Sequence, residues 1–243
     1  MDGILRCSRY AFGPNRLHYC GPDANQELYS YIEHEAVDPG LELMLKKFKT
    51  MYPYLRLIAD ANKIRDAFDD RVVEAYWLGN NLLDQVDHRV FYTHLRDQHQ
   101  LGQRLTMNNL ELVGQKIVQG AVPHHSYHVL DIWRQTGHQD REVTLENMDA
   151  CRISWGQVTK IDGPYITVIS EPLLLQHGKL ALGQPVARRI TRSLGAEADI
   201  EQLKIDDWVS IHWDVPCEVI TKSQVDELRR RTISHIKLAN ETI

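Results

Sequence analysis

Cysteine is scarce in this chain, and its spacing excludes more than its number does. Cys7, Cys20, Cys151 and Cys217 lie far apart, and no CxxC pair is present. That argues against a zinc knuckle. A disulfide framework is not expected in a reducing compartment, so the thiols are read as reduced. Long apolar runs are also missing: none approaches the roughly 20 residues that a membrane helix needs. The opening Met1-Asp2-Gly3-Ile4-Leu5-Arg6 lacks the apolar core of a signal peptide. A cytoplasmic protein with no membrane association is the expectation. There is no surplus of positive charge, since the formal net charge is −5; nothing points to nucleic acid as a partner. Internal repeats and low-complexity tracts are absent as well.

What is there is an ordinary globular composition with one excess. Apolar residues make up 43% and charged residues 25% of 243 positions, enough for one large or two small domains with a real core. The 12 histidines are many for this length and favour metal or proton chemistry.

The periodicity changes near residue 150. Residues 1–148 read as helical. The start, through Pro22, is rich in turn formers (Gly13-Pro14-Asn15, Gly21-Pro22-Asp23) and predicts a structured arm. Helical spacing follows from Asn25, and Asp38-Pro39 reads as an N-cap and first turn ahead of Leu41, Met44, Leu45 and Phe48. Further helices are predicted from Pro53, after Asp69-Asp70, over His88 to His99, over Leu110 to Val118, and from His124 to Gly137, where the glycine ends the run. Beyond residue 150 the pattern is β-like. Val158 to Ile161 and Tyr165 to Ile169 flank an Asp162-Gly163 turn and predict a hairpin. Trp208 to Trp213 alternates as a strand, with Cys217 to Ile220 as its neighbour across a turn at Pro216. An amphipathic helix begins at Ser223. The predicted fold is α+β: a helical domain over 1–148, then a small OB-like β-barrel with a terminal helix over 149–243.

Several residue groups carry chemistry. Cys151 and His212 lie in or beside β-like segments that could be neighbours, and a thiolate facing an imidazole can hold a soft or borderline metal or form an activated nucleophile. The densest histidine cluster is Pro123 to Asp131. On a helix, His124 and His128 share a face at i, i+4, while His125 and His128 fall at an i+3 step, spacings that suit metal ligands. His18 and Cys20 would point the same way in an extended segment and could complete a site with that cluster. Tyr10 belongs to the same aromatic-rich arm. Trp77 and Asn80 lie on a polar-aromatic helix face that offers a pocket lining.

The second half resembles the small chaperones of nickel–iron hydrogenase maturation, the HypC/HupF type. Their opening cysteine, glycine and valine and their Ile-Asp-Gly turn are matched in order by Cys151, Gly156, Val158 and Ile161-Asp162-Gly163. Their later Asp-Tyr/Trp-Val-x-x-His is matched by Asp207, Trp208, Val209 and His212. The resemblance covers about 151–240 and ends, as in the family, in a helix. It implies an accessory protein for metallocentre assembly that carries an iron fragment with cyanide and carbon monoxide ligands through Cys151 and His212. The implied partners are the hydrogenase large-subunit precursor and other maturation proteins. Two other readings stay open: a non-haem iron enzyme that uses His124, His128 and His18, with the barrel as a targeting module, and a docking module without metal.

Overall fold

The computed structural model describes residues 1–137, 142–192 and 203–243. The first half is helical: α1 (Gly3–Arg16), α2 (Asn25–Glu33), α3 (Pro39–Lys46), α4 (Met51–Ala61), α5 (Asp70–Trp77), α6 (His88–Asp97), α7 (Leu101–Arg104) and α8 (Met107–Val118). A further helical run opens as α9 (His125–Tyr127), passes through a π-helical stretch (His128–Trp133) and closes as α10 (Arg134–Thr136) at Gly137, whose φ is 70°. Local chemistry sets several of these boundaries. Asp38 caps α3 by accepting from the Leu41 N–H with Pro39 in the first turn, and Asp69 caps α5 through the Arg71 N–H.

The turn-rich N-terminus does not form the expected arm. It is helix α1, capped by Asp2, which accepts from the Ile4 and Leu5 N–H groups, and most of its residues are buried. Its glycines serve close approach. A Cβ at Gly13 would lie 2.7 Å from the His212 carbonyl oxygen, so α1 can press against the sheet only without a side chain there.

Helix α11 (Leu145–Cys151) spans the place where the periodicity changes. The strands are β1 (Ser154–Asp162), β2 (Tyr165–Ser170), β3 (Leu173–Gln176), β4 (Lys179–Leu182), β5 (Val186–Thr191), β6 (Trp208–His212) and β7 (Val215–Ile220), and the amphipathic helix α12 (Lys222–Ala239) follows behind a Thr221/Gln224 capping box. Five strands form an open antiparallel sheet in the order β5-β2-β1-β6-β7, and β3 pairs with β4 in a separate ribbon.

Two hairpins differ in detail from expectation. Asp162 already pairs with Tyr165, so the first turn falls on Gly163-Pro164, with Gly163 at a φ of 56°. The second turn is not at Pro216 but on Trp213 and Asp214, both at positive φ (52° and 60°). Pro216 sits inside β7 opposite Ile211, at a register shift where its missing N–H is tolerated.

The largest core cluster runs without interruption from helical residues such as Tyr10, Tyr54 and Trp77 to Trp155, Cys217, Ile220 and Leu228 of the second half. Buried polar groups cross the same seam: Glu218 on β7 accepts from Arg6 Nε at 2.9 Å and from the Tyr10 hydroxyl at 2.6 Å. Among the described residues, no helix is long and apolar enough to cross a membrane.

Candidate metal centre

Strand pairing brings Cys151 and His212 together. Cys151 ends α11, and Arg152 already has the extended backbone that leads into β1. In the β1–β6 ladder Ser154 pairs with Ile211, and beyond it the Trp213 N–H donates to the Ala150 carbonyl at 2.8 Å. The two residues therefore lie at the same end of one ladder. His125, the first residue of α9, joins them. One ligand atom from each of His125, Cys151 and His212 lies within 4.8 Å of the others, so the group could hold a metal ion.

Hydrogen bonding distinguishes the two imidazoles. His212 is 1% exposed, and its Nδ1 is 2.7 Å from the Tyr10 carbonyl oxygen. A carbonyl only accepts, so Nδ1 carries the proton and Nε2 keeps a free lone pair. That Nε2 is buried without a hydrogen-bond partner. A backbone-anchored Nδ1–H with an open Nε2 is the arrangement that orients a metal-binding histidine. His125 donates from Nε2 to the Cys151 carbonyl at 2.8 Å, and its Nδ1 faces the Tyr76 hydroxyl at 3.1 Å. The Cys151 Sγ is 4.0 Å from His125 Nε2. His125 must release the Cys151 carbonyl before its Nε2 can ligate.

The cluster opens into a cavity of about 130 Å³ whose wall includes Cys20, His128 and the rings of Phe48, Tyr76, Trp77, Trp133 and Trp213. Burial decides protonation here. It lowers His212 to about 4 and His128 to about 4, and it takes His125 well below the ordinary histidine range, helped by the neighbouring His212. Burial, then the nearby Cys20, pushes the Cys151 thiol far up, and burial alone takes Cys20 up to about 11. At neutral pH the cavity thus presents neutral imidazoles and protonated thiols, and a metal must displace the thiol protons.

The other predicted residues fall in different places. His128 starts the π-helical stretch and lines the cavity, with Nδ1 3.2 Å from the Tyr54 hydroxyl. His124 does not share its face. It is the N-cap of α9 with extended backbone (φ −111°, ψ 147°), so the i, i+4 relation fails, and its Nδ1 turns to Ser126, which also contacts His235. His18 sits at a φ of 57°, which breaks the extended geometry expected of it beside Cys20; its side chain is 58% exposed and lies 3.5 Å from Asp23. The ligand set His124, His128 and His18 is therefore not brought to one place. Tyr10 is buried, stacked on Trp77 at 5.1 Å, and acts on the site through its carbonyl. Trp77 packs against both His125 and His212. Asn80 caps the short turn after α5 and lies outside the cavity.

Sequence reasoning passed over Tyr76 and Tyr54, which bond His125 and His128, and the Arg152–Asp149 pair. Asp149 Oδ1 accepts from Arg152 Nε at 2.8 Å and from the Leu173 N–H at 3.0 Å, which pins the α11–β1 junction behind Cys151. The neighbourhood of Tyr76 with Trp77 was the one available signal.

Fold and site together define an α+β protein with a thiol–imidazole pocket at the seam between its helical half and its sheet. The chain belongs to the Family of unknown function (DUF6390), which it matches over residues 1–243. No curated protein and no solved structure matches it significantly.

Proposed function

We propose that this protein serves nickel–iron hydrogenase metallocentre assembly, holding an iron fragment at Cys151 and His212 for delivery to the large-subunit precursor. One observation carries the reading. The two motifs that resemble the HypC/HupF chaperones place their cysteine and histidine at the same end of the β1–β6 ladder, with the His212 Nε2 buried and unpartnered. A polarisable thiolate suits low-spin iron with strong-field ligands. A cavity of about 130 Å³ with mainly aromatic and aliphatic walls has room for diatomic ligands; a water molecule's share of liquid volume is roughly 30 Å³.

The barrel part of the resemblance has support at the open edges of the sheet. Strands β5 and β7 share no ladder among the described residues, yet the Thr191 N–H donates to the Asp214 carbonyl at 3.2 Å and Arg188 pairs with Asp214. These contacts draw the edges together at one end, in the manner of a partly open barrel. Trp155 stands where the family has proline. It lies inside β1, paired with Ser210 and 3% exposed, a position in which proline would forfeit a ladder hydrogen bond.

Protein purified without oxygen from its native host should contain iron and show cyanide and carbon monoxide infrared bands. Both should be lost in Cys151→Ala. Folded wild-type protein with neither iron nor bands would overturn the proposal.

A further inference from the structure

The cavity holds a second thiol. Cys20 lies on the segment between α1 and α2 and lines the same space as His125, Cys151 and His212. The segment is built to stay there. The Asn15 carboxamide donates to the carbonyls of Cys20 at 2.9 Å and Pro22 at 2.7 Å. Gly21 takes a φ of 86°, and a Cβ on it would fall 2.4 Å from the Phe48 ring, so the backbone is pressed onto a cavity wall. The Tyr19 ring packs tilted against Trp213, the residue after His212, with ring centres 4.1 Å apart. Cys20 lines the cavity outside the group of His125, Cys151 and His212, whose ligand atoms lie within 4.8 Å of one another.

Three protein ligands are one short of the four that closed sites with sulfur and nitrogen donors use. We propose that Cys20 is the fourth protein ligand, completing a set of two thiolates and two imidazoles around the cavity that all four side chains line. Such a donor set selects soft or borderline ions such as ferrous iron, cobalt, zinc and cadmium. This rests on the metal-binding reading of the Cys151 cluster. Binding is balanced by protons: each thiol that becomes a ligand releases one proton to solvent, and no oxidant or reductant is needed.

Cadmium titration of the full, reduced chain tests the assignment, because the sulfur-to-cadmium absorption reports the number of thiolates whatever the geometry. Wild-type protein should release two protons per ion. Cys20→Ser should lose half of the charge-transfer absorption and release one proton fewer. In wild-type protein, bound cadmium should protect both Cys20 and Cys151 from alkylation, a measurement that does not depend on how well the variant folds. A Cys20→Ser protein with wild-type absorption and proton count, or Cys20 alkylated freely beside a protected Cys151, would overturn the Cys20 assignment and leave the centre standing. A wild-type chain that takes up no cadmium would overturn both.

Discussion

At the scale of single residues, the site depends on which atoms already have partners. The Tyr10 carbonyl holds the His212 Nδ1–H and leaves Nε2 open, whereas both nitrogens of His125 are engaged. His212 is therefore the prepared ligand, and His125 must exchange one bond for another. The protonated Cys151 thiol sets the pH dependence. Because burial and Cys20 push it above its ordinary range, proton and metal compete for the same sulfur, and metal affinity should rise with pH by about tenfold per unit for each thiol that ligates, between about pH 6 and pH 8. The imidazoles add no slope, since burial keeps His212 neutral down to about 4. Competition titrations across that range measure the slope, and a flat profile would argue against thiolate ligation. Cys151 and His212 were legible because each sits in an ordered motif. The His124–His128 pairing misled because it assumes that both residues lie inside one helix, whereas the backbone at His124 is extended.

At the scale of elements, the β1–β6 ladder positions the pair, and Gly156 lets that ladder pack. A Cβ on Gly156 would lie 2.8 Å from the Val168 Cβ and 3.3 Å from Ile211 Cδ1. Gly156→Ala should destabilise the fold by about 1–3 kcal/mol through overpacking, read as a lower denaturant midpoint with an unchanged slope. A midpoint equal to wild type would mean that β1 and β2 have more slack than their contacts allow. Helix α1 shows the reverse lesson. Its glycines and proline read as turn signals, yet Gly13 is there because the α1 backbone passes close to the His212 carbonyl. A packing glycine and a turn glycine look alike until the neighbouring element is known.

At the scale of the whole molecule, core and polar network run across the seam between the two halves, so the pocket and the fold share their stability. Histidines buried neutral in that seam make acid the relevant stress. The unfolded chain takes up protons below the ordinary histidine value of 6.5, whereas folded His212 refuses them until about 4. The unfolded state thus binds more protons in that window, and stability falls as pH drops through it; for His212 alone the loss amounts to about 3 kcal/mol. His124, held to about 3, adds in the same direction. Chemical denaturation should show stability nearly constant between about pH 7 and pH 8, falling steeply between about pH 6.5 and pH 4, and falling again toward alkaline pH as the unfolded chain ionises thiols that the fold keeps protonated. Unchanged stability across the acid window would mean that the seam admits protons without opening.

Local pattern determines much of this protein. Caps at Asp38 and Asp69, the change from helical to alternating periodicity, and the motifs around Cys151 and His212 all act over a few residues, so they can be read in order along the chain. The company those two residues keep could not be read that way. His125 reaches the Cys151 carbonyl from 26 residues away, and Cys20 enters the same cavity from the segment behind α1. Their places follow from how helices pack on a sheet edge and from where each buried nitrogen finds a hydrogen-bond partner, and these are settled only when distant segments meet.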